Sequence, residues 1–253
     1  IDMIIVVGMP VACKGGLLDC AVVLQKGKIL GVVAKIFLLG SEKRWFNSIL
    51  DMPDVKVWLC GEQVQIRQCQ IFNTPACSFA LEIGHDLWSP CPPSTKLSLM
   101  GAEIILNLSA DTSLAGKNDY LRTLVCTQSA RNLSGYVYAG AGFGESSTDH
   151  VFSGLALVAE NGTMLSENQP YSMESQLVMT EIDVQHIRSK RRTNKIFSDT
   201  AKILDSTNCM RTDTDMMVNH NLDLSRVYSP HPFIPNTKEA IDKRSEEVYN
   251  IQT

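Results

Sequence analysis

The segment Leu81-Glu-Ile-Gly-His-Asp-Leu-Trp88, followed at once by Ser-Pro-Cys-Pro-Pro-Ser94, sets two carboxylates, an imidazole and an indole just behind a short apolar run. Covalent chemistry on an acyl group needs a nucleophile, a group that moves protons and a donor for the developing oxyanion. Gly84 offers neither thiol nor hydroxyl, so no acyl-enzyme forms at that position. The nearest thiols are poor substitutes. Cys91 lies between Pro90 and Pro92, which stiffen a loop, and Cys77 precedes the strand and belongs at its other end. Lys35 closes another apolar run, where by itself it reads as a surface lysine at the end of a hairpin. The five histidines form no HxxxH or HxH pair, which speaks against a structural or catalytic zinc.

These side chains depend on the elements that hold them. Ser78 to Ile83 reads as a strand leading into the Gly84 segment, and Ala102 to Leu108 as one leading into Ser109-Ala-Asp111. Both motifs therefore lie past the carboxyl ends of strands, where α/β sheets place ligands. Asp2 to Met9 reads as a buried strand that stops at Pro10. Cys20 to Leu24 and Ile29 to Lys35 bracket Gln-Lys-Gly-Lys, and Gly154 to Ala159 with Met164 to Ser166 bracket Glu-Asn-Gly-Thr, so two hairpins are expected. Val55 to Ile66 carries weaker strand signals, and Tyr136 to Ala141 is a further strand. Helical spacing predicts a helix over Asp119 to Leu133. Leu177 to Asp183 alternates and passes into a helix carrying Arg188-Ser-Lys-Arg-Arg192, which reads as a solvated basic face. Residues 1–197 are expected to form one α/β domain, and 198–253 a polar linker with the start of a further domain. The proline-rich Ser229-Pro-His-Pro-Phe-Ile-Pro235 is expected to lack regular structure.

Composition bounds the function. The 253 residues are 44% hydrophobic and 20% charged, ordinary for a globular chain with a sizeable core. A net charge of −4 gives no global field that would draw it to nucleic acid or an anionic membrane. The apolar runs are far shorter than the roughly 20 residues of a membrane span. The strand-like run at the amino terminus leads us to expect no secretory signal. Eight cysteines without a CxxC or regular spacing fit free thiols in a reducing compartment, so a cytoplasmic location is expected. Gly140-Ala-Gly-Phe-Gly144 is glycine-dense, but a polar loop follows it where a dinucleotide fingerprint needs a helix amino terminus.

The chain resembles nitrilase-superfamily glutaminases, specifically the amide-hydrolysing half of glutamine-dependent NAD synthetase. Leu81 to Trp88 is similar to the nucleophile segment of that family, E-I-C-E-D-L-W, with Gly84 at the cysteine and His85 at the following glutamate. Gly-Lys-Ile-Leu-Gly-Val-Val-Ala-Lys35 resembles the family's lysine strand, and Glu42-Lys-Arg-Trp-Phe46 the segment after it. Gly101 to Ala110, Tyr136 to Asn161 and the proline-rich tail match further blocks. The resemblance implies an α-β-β-α sandwich, here an α/β fold of nitrilase type incomplete at its amino terminus, with a Glu-Lys-Cys triad. Lys35 matches the lysine. The family's glutamate lies upstream of the region matched by Ile1, so no counterpart is expected, and the loop from Lys35 to Glu42 is shorter than the family's.

By similarity, His85 and Asp111 replace residues that contact the two ends of glutamine, Trp88 walls the site and Lys117 pairs with the substrate carboxylate. No cofactor is implied in this chain, because ATP and magnesium belong to the synthetase domain. The expected function is a truncated glutamine amidohydrolase domain with impaired catalysis. Two alternatives stay open: an incomplete or altered record of an active synthetase, and a non-catalytic scaffold subunit. The partners expected are glutamine, further copies of the chain or a complete synthetase, and neither nucleic acid nor membrane. An uncovered sheet edge predicts marginal stability or association.

Overall fold

The computed structural model describes residues 2–52, 55–145, 148, 150–203, 209–218, 223–228, 230–231, 233–235 and 237–253. It forms two compact units, Ile1–His220 and Asn221–Thr253. In the first unit, strands β1 (Ile4–Cys13), β2 (Gly16–Gln25), β3 (Lys28–Ala34), β4 (Val55–Leu59) and β5 (Glu62–Arg67) make a sheet in the order β1-β2-β3-β5-β4. Seven strands make the larger sheet: β6 (Gln70–Asn73), β7 (Ser78–Ile83), β8 (Ile104–Ser109), β9 (Gly135–Gly140), β10 (Ala156–Glu160), β11 (Thr163–Glu167) and β12 (Met210–Asp213). Its order is β11-β10-β9-β8-β7-β6-β12, with β7, β8 and β9 parallel at the centre.

Alternation along the strands divides the core into three layers. In β2, Leu18, Cys20 and Val22 face the outer side of the smaller sheet, while Ala21 and Val23 face inward. The inward layer joins them to Phe72, Phe79, Leu81 and Ile83, so the two sheets pack face to face. The outer face of the larger sheet is covered by helices α1 (Pro93–Leu99) and α2 (Lys117–Asn132), through Leu97, Leu121 and Val125. The outer face of the smaller sheet is closed differently. Among the described residues its cover comes from Ile36, Ile49 and Met52 in the connection after β3 and from Val55, Val57 and Leu59 of β4.

The two expected hairpins form. Lys26 and Gly27 take positive φ at one turn, and Asn161 and Gly162 at the other, as two-residue turns matching strand twist require. Five expectations need correction. β1 does not stop at Pro10 but runs on to Cys13, paired with β2 throughout. It is an edge strand, which bonds on one side only and so tolerates a residue without an N–H. Residues 177–183 alternate yet form no strand; Asp183 N donates to the Glu160 carboxylate at 2.6 Å, and the Asp183 side chain caps helix α3 (Val184–Thr193) by accepting from His186 N at 2.8 Å.

The basic cluster on α3 is not simply a solvated face. Arg188 pairs with Glu103 at 2.5 Å, and Arg191 donates to the carbonyls of Ala102, Asn132 and Leu133, the last two at the carboxyl end of α2. Cys69 and Cys209 are disulfide-bonded, which removes two of the eight expected free thiols. Their separation of 140 residues left no trace in the spacing pattern. That bond fastens β12, parallel to β6, onto the sheet edge, so the first unit continues past residue 197 through helix α4 (Lys195–Ile203) and β12. In the second unit a helix, α5 (Lys238–Gln252), follows Thr237, whose hydroxyl accepts from Ala240 N. The described residues of the proline-rich tail carry no regular element, while Ser229 and Pro232 lie outside the described residues.

Candidate active site

Gly84 stands where β7 ends and a 3-10 turn, Gly84–Trp88, begins. Its φ is +51°, a conformation that suits glycine, and its backbone is clamped on both sides. Gly84 N donates to Asn107 Oδ1 at 3.0 Å, and Asn107 Nδ2 donates back to Gly84 O at 3.3 Å. Asn107 also meets the Tyr136 hydroxyl, which donates to the buried carboxyl of Glu82. The second oxygen of Glu82 accepts from Ser94 N at the start of α1 at 2.8 Å. Burial pushes the Glu82 carboxyl up to about 7, against the hydrogen bonds from Tyr136 and Ser94.

Lys35, only 3% exposed, reaches the same point from the smaller sheet. A Cβ placed on Gly84 would lie 3.2 Å from Lys35 Nζ and 3.6 Å from Ser109 Oγ. The approach of the two sheets is set by Asp86, whose carboxylate accepts from Ile36 N at 3.2 Å and Phe37 N at 2.7 Å, the two residues after Lys35. Burial raises Asp86 to about 6 in spite of these bonds. Lys35 Nζ is itself paired with Glu42 at 2.5 Å and Asp19 at 3.8 Å. Around these groups lies a cavity of about 420 Å³, lined among others by Asp19, Lys35, Glu42, Gly84, Ser109 and Glu145.

The remaining site residues from the sequence form a second cluster beside the first. Asp111 Oδ1 accepts from His85 Nε2 at 2.9 Å and from Lys117 Nζ. Burial opposes ionisation of Asp111, but these two donors outweigh it and hold its carboxyl below the usual range. Lys117 Nζ sits 5.2 Å from the centre of the Trp88 ring, which stacks on Tyr120. Asp111 Oδ2 and Trp88 Nε1 are buried with no hydrogen-bond partner among the described residues. His85, Trp88, Asp111 and Lys117 do not line the 420 Å³ cavity, whereas Lys35 and Gly84 do.

Sequence reasoning missed Asp19 and gave Glu42 no role. The available signal was weak: Asp19 is a lone carboxylate in the apolar run Leu17 to Val23. Neither Cys77 nor Cys91 reaches the cavity. Cys20 does line it, but its side chain packs in the outer layer of the smaller sheet and burial drives its thiol above the ordinary value. The glycine-dense stretch 140–144 ends a strand and enters a loop whose Ser146, Ser147 and Asp149 lie outside the described residues. No group of three or more His, Cys, Asp or Glu placed to hold a metal occurs among the described residues, and none of their helices is long and apolar enough to cross a membrane.

No family model matches the chain. It is 29% identical over 262 residues to the glutamine-dependent NAD(+) synthetase of Mycobacterium tuberculosis, a match spanning 98% of this chain and 38% of that protein. The human glutamine-dependent NAD(+) synthetase is 26% identical over 204 residues, 75% of this chain and 29% of that one. The chain thus spans well under half the length of the curated relatives it matches. Among solved structures, a glutamine-dependent NAD(+) synthetase from Cytophaga hutchinsonii superposes with a TM-score of 0.61 at 23% identity, covering 70% of this chain and 29% of that one. A carbon-nitrogen hydrolase from Helicobacter pylori G27 gives 0.61 at 18%, covering 80% and 72%. The homologues of this chain are glutamine-dependent NAD(+) synthetases, and its fold is that of the nitrilase, or carbon-nitrogen hydrolase, superfamily.

Proposed function

We propose that this chain is a glutaminase-type domain of a glutamine-dependent NAD synthetase whose thiol route of amide hydrolysis is lost. One observation carries the reading: the position that Lys35 Nζ addresses across the sheets is Gly84, which has no atom able to attack a carbonyl. A buried cation, strand ends from both sheets and a cavity large enough for a small amino acid converge there. The cluster of His85, Asp111 and Lys117 lies outside the lining of this cavity. Amidation of nicotinic acid adenine dinucleotide, with its ATP and magnesium, belongs in this reading to a synthetase domain, and the chain acts beside one as a glutamine-binding or scaffolding part.

The test pairs two measurements on the purified chain. Calorimetry with glutamine is expected to show binding, and a coupled ammonia assay to show no release that thiol alkylation abolishes. Alkylation-sensitive ammonia release at the rate of a competent synthetase would overturn the loss of the thiol route. Absence of glutamine binding would overturn the pocket's assignment.

A further inference from the structure

Lys35 is held by two carboxylates of different standing. Glu42 is fully engaged, one oxygen on Lys35 Nζ and the other accepting from Leu39 N at 2.8 Å. Asp19 meets Lys35 Nζ through a single oxygen at 3.8 Å, and no other hydrogen-bond partner of its carboxylate is found among the described residues. Its backbone is fixed to the same lysine, because Lys35 N donates to Asp19 O at 2.8 Å. Asp19 lies in β2 between Leu18 and Cys20, which pack in the outer layer, and it lines the cavity. Its side chain remains 29% exposed there, so it is open to the cavity's contents.

Burial raises the Asp19 carboxyl, Glu42 pushes it the same way and Lys35 opposes both, which makes it a stronger base than an ordinary surface aspartate. A cavity of about 420 Å³ holds both a small acyl compound and water molecules, each of roughly 30 Å³. With a glycine at position 84, no side chain from that position occupies the space 3.2 Å from Lys35 Nζ where a Cβ would stand.

The geometry points to a water-dependent hydrolysis of small acyl esters in this cavity, with Asp19 as general base and Lys35 as the cation at the oxyanion. Asp19 takes a proton from water as the water oxygen bonds to the carbonyl carbon, and the carbonyl π pair moves onto the oxygen facing Lys35. The intermediate then re-forms its carbonyl and breaks the bond to the leaving oxygen, which takes the proton back from Asp19. Ester and water give acid and alcohol, with no oxidant or reductant. This inference rests on the reading that the cavity is an acyl pocket without its thiol.

p-Nitrophenyl acetate is the probe, tested on the wild-type chain, Asp19→Asn and Asp19→Glu. In the wild type, kcat is expected to rise with pH through one ionisation and then level off. Asp19→Asn should lower kcat by about 100-fold with little change in KM or melting temperature, and should abolish that pH limb. Asp19→Glu should restore most of the rate. Wild-type hydrolysis no faster than the uncatalysed reaction, an Asp19→Asn rate equal to wild type, or a stable acetyl adduct on Lys35 by intact mass would each overturn the proposal. Glutamine binding without ester hydrolysis sinks this inference alone, and ester hydrolysis without glutamine binding sinks only the glutamine assignment.

Discussion

Glu82 faces away from the cavity, yet it decides how firmly Gly84 is held. Through Tyr136 and Asn107 its carboxyl reaches both backbone groups of Gly84, so a buried acid sits three hydrogen bonds from that glycine. A carboxyl raised from 4.5 to about 7 on folding binds its proton more tightly in the folded chain than in the unfolded one. Its contribution to stability is therefore greatest at low pH and falls as pH rises between those values, at about 1.4 kcal/mol per pH unit when fully coupled. Glu82→Gln cannot ionise, and the Tyr136 hydroxyl can turn to accept from the new amide. Melting temperatures of wild type and Glu82→Gln measured across this range are expected to diverge, with the variant gaining on the wild type as pH rises. Parallel curves would show that Glu82 enters the fold charged.

The segment after residue 197 illustrates how an element gains a place without a strong local pattern. β12 is four residues long and mostly exposed, and its parallel ladder to β6 is supplemented by Gln70 Nε2 to Thr212 Oγ1 at 2.9 Å and Asn73 Nδ2 to Asp213 Oδ1 at 2.8 Å. Such a strand buries too little to stay on the edge by itself, so the Cys69–Cys209 bond does much of the tethering. Replacing both cysteines with serine is expected to cost about 2–4 kcal/mol in denaturant unfolding under oxidising conditions. Amide exchange at Met210–Asp213 should quicken at the same time, with little change at β8 and β9. Unchanged exchange in β12 would mean that the ladder alone holds it.

At the scale of the molecule, the site exists because two sheets meet. Lys35 comes from the smaller and Gly84 from the larger, and between them lies the inner layer in which Phe72 stacks on Phe79 at 5.1 Å. Phe72→Ala should cost about 3–5 kcal/mol and loosen the register of one sheet on the other. Urea unfolding checks the first part, and the glutamine affinity of the still-folded variant the second; an unchanged midpoint would argue that the sheets are held elsewhere. Much of this frame was legible in the chain. Lys26-Gly27 and Asn161-Gly162 announce their turns because positive φ is a local demand, and Ser78 to Ile83 reads as a strand because its apolar run is bounded on both sides. The motif around Gly84 carried the resemblance and put a glycine at its centre, since both are matters of residue identity. Tertiary structure alone decided that residues 177–183 form no strand, that β1 runs through Pro10, that Arg191 caps carbonyls of α2 and that Asp19 joins Lys35. Each of those depends on a partner distant in sequence, and periodicity carries no information about which distant strand or carbonyl will arrive.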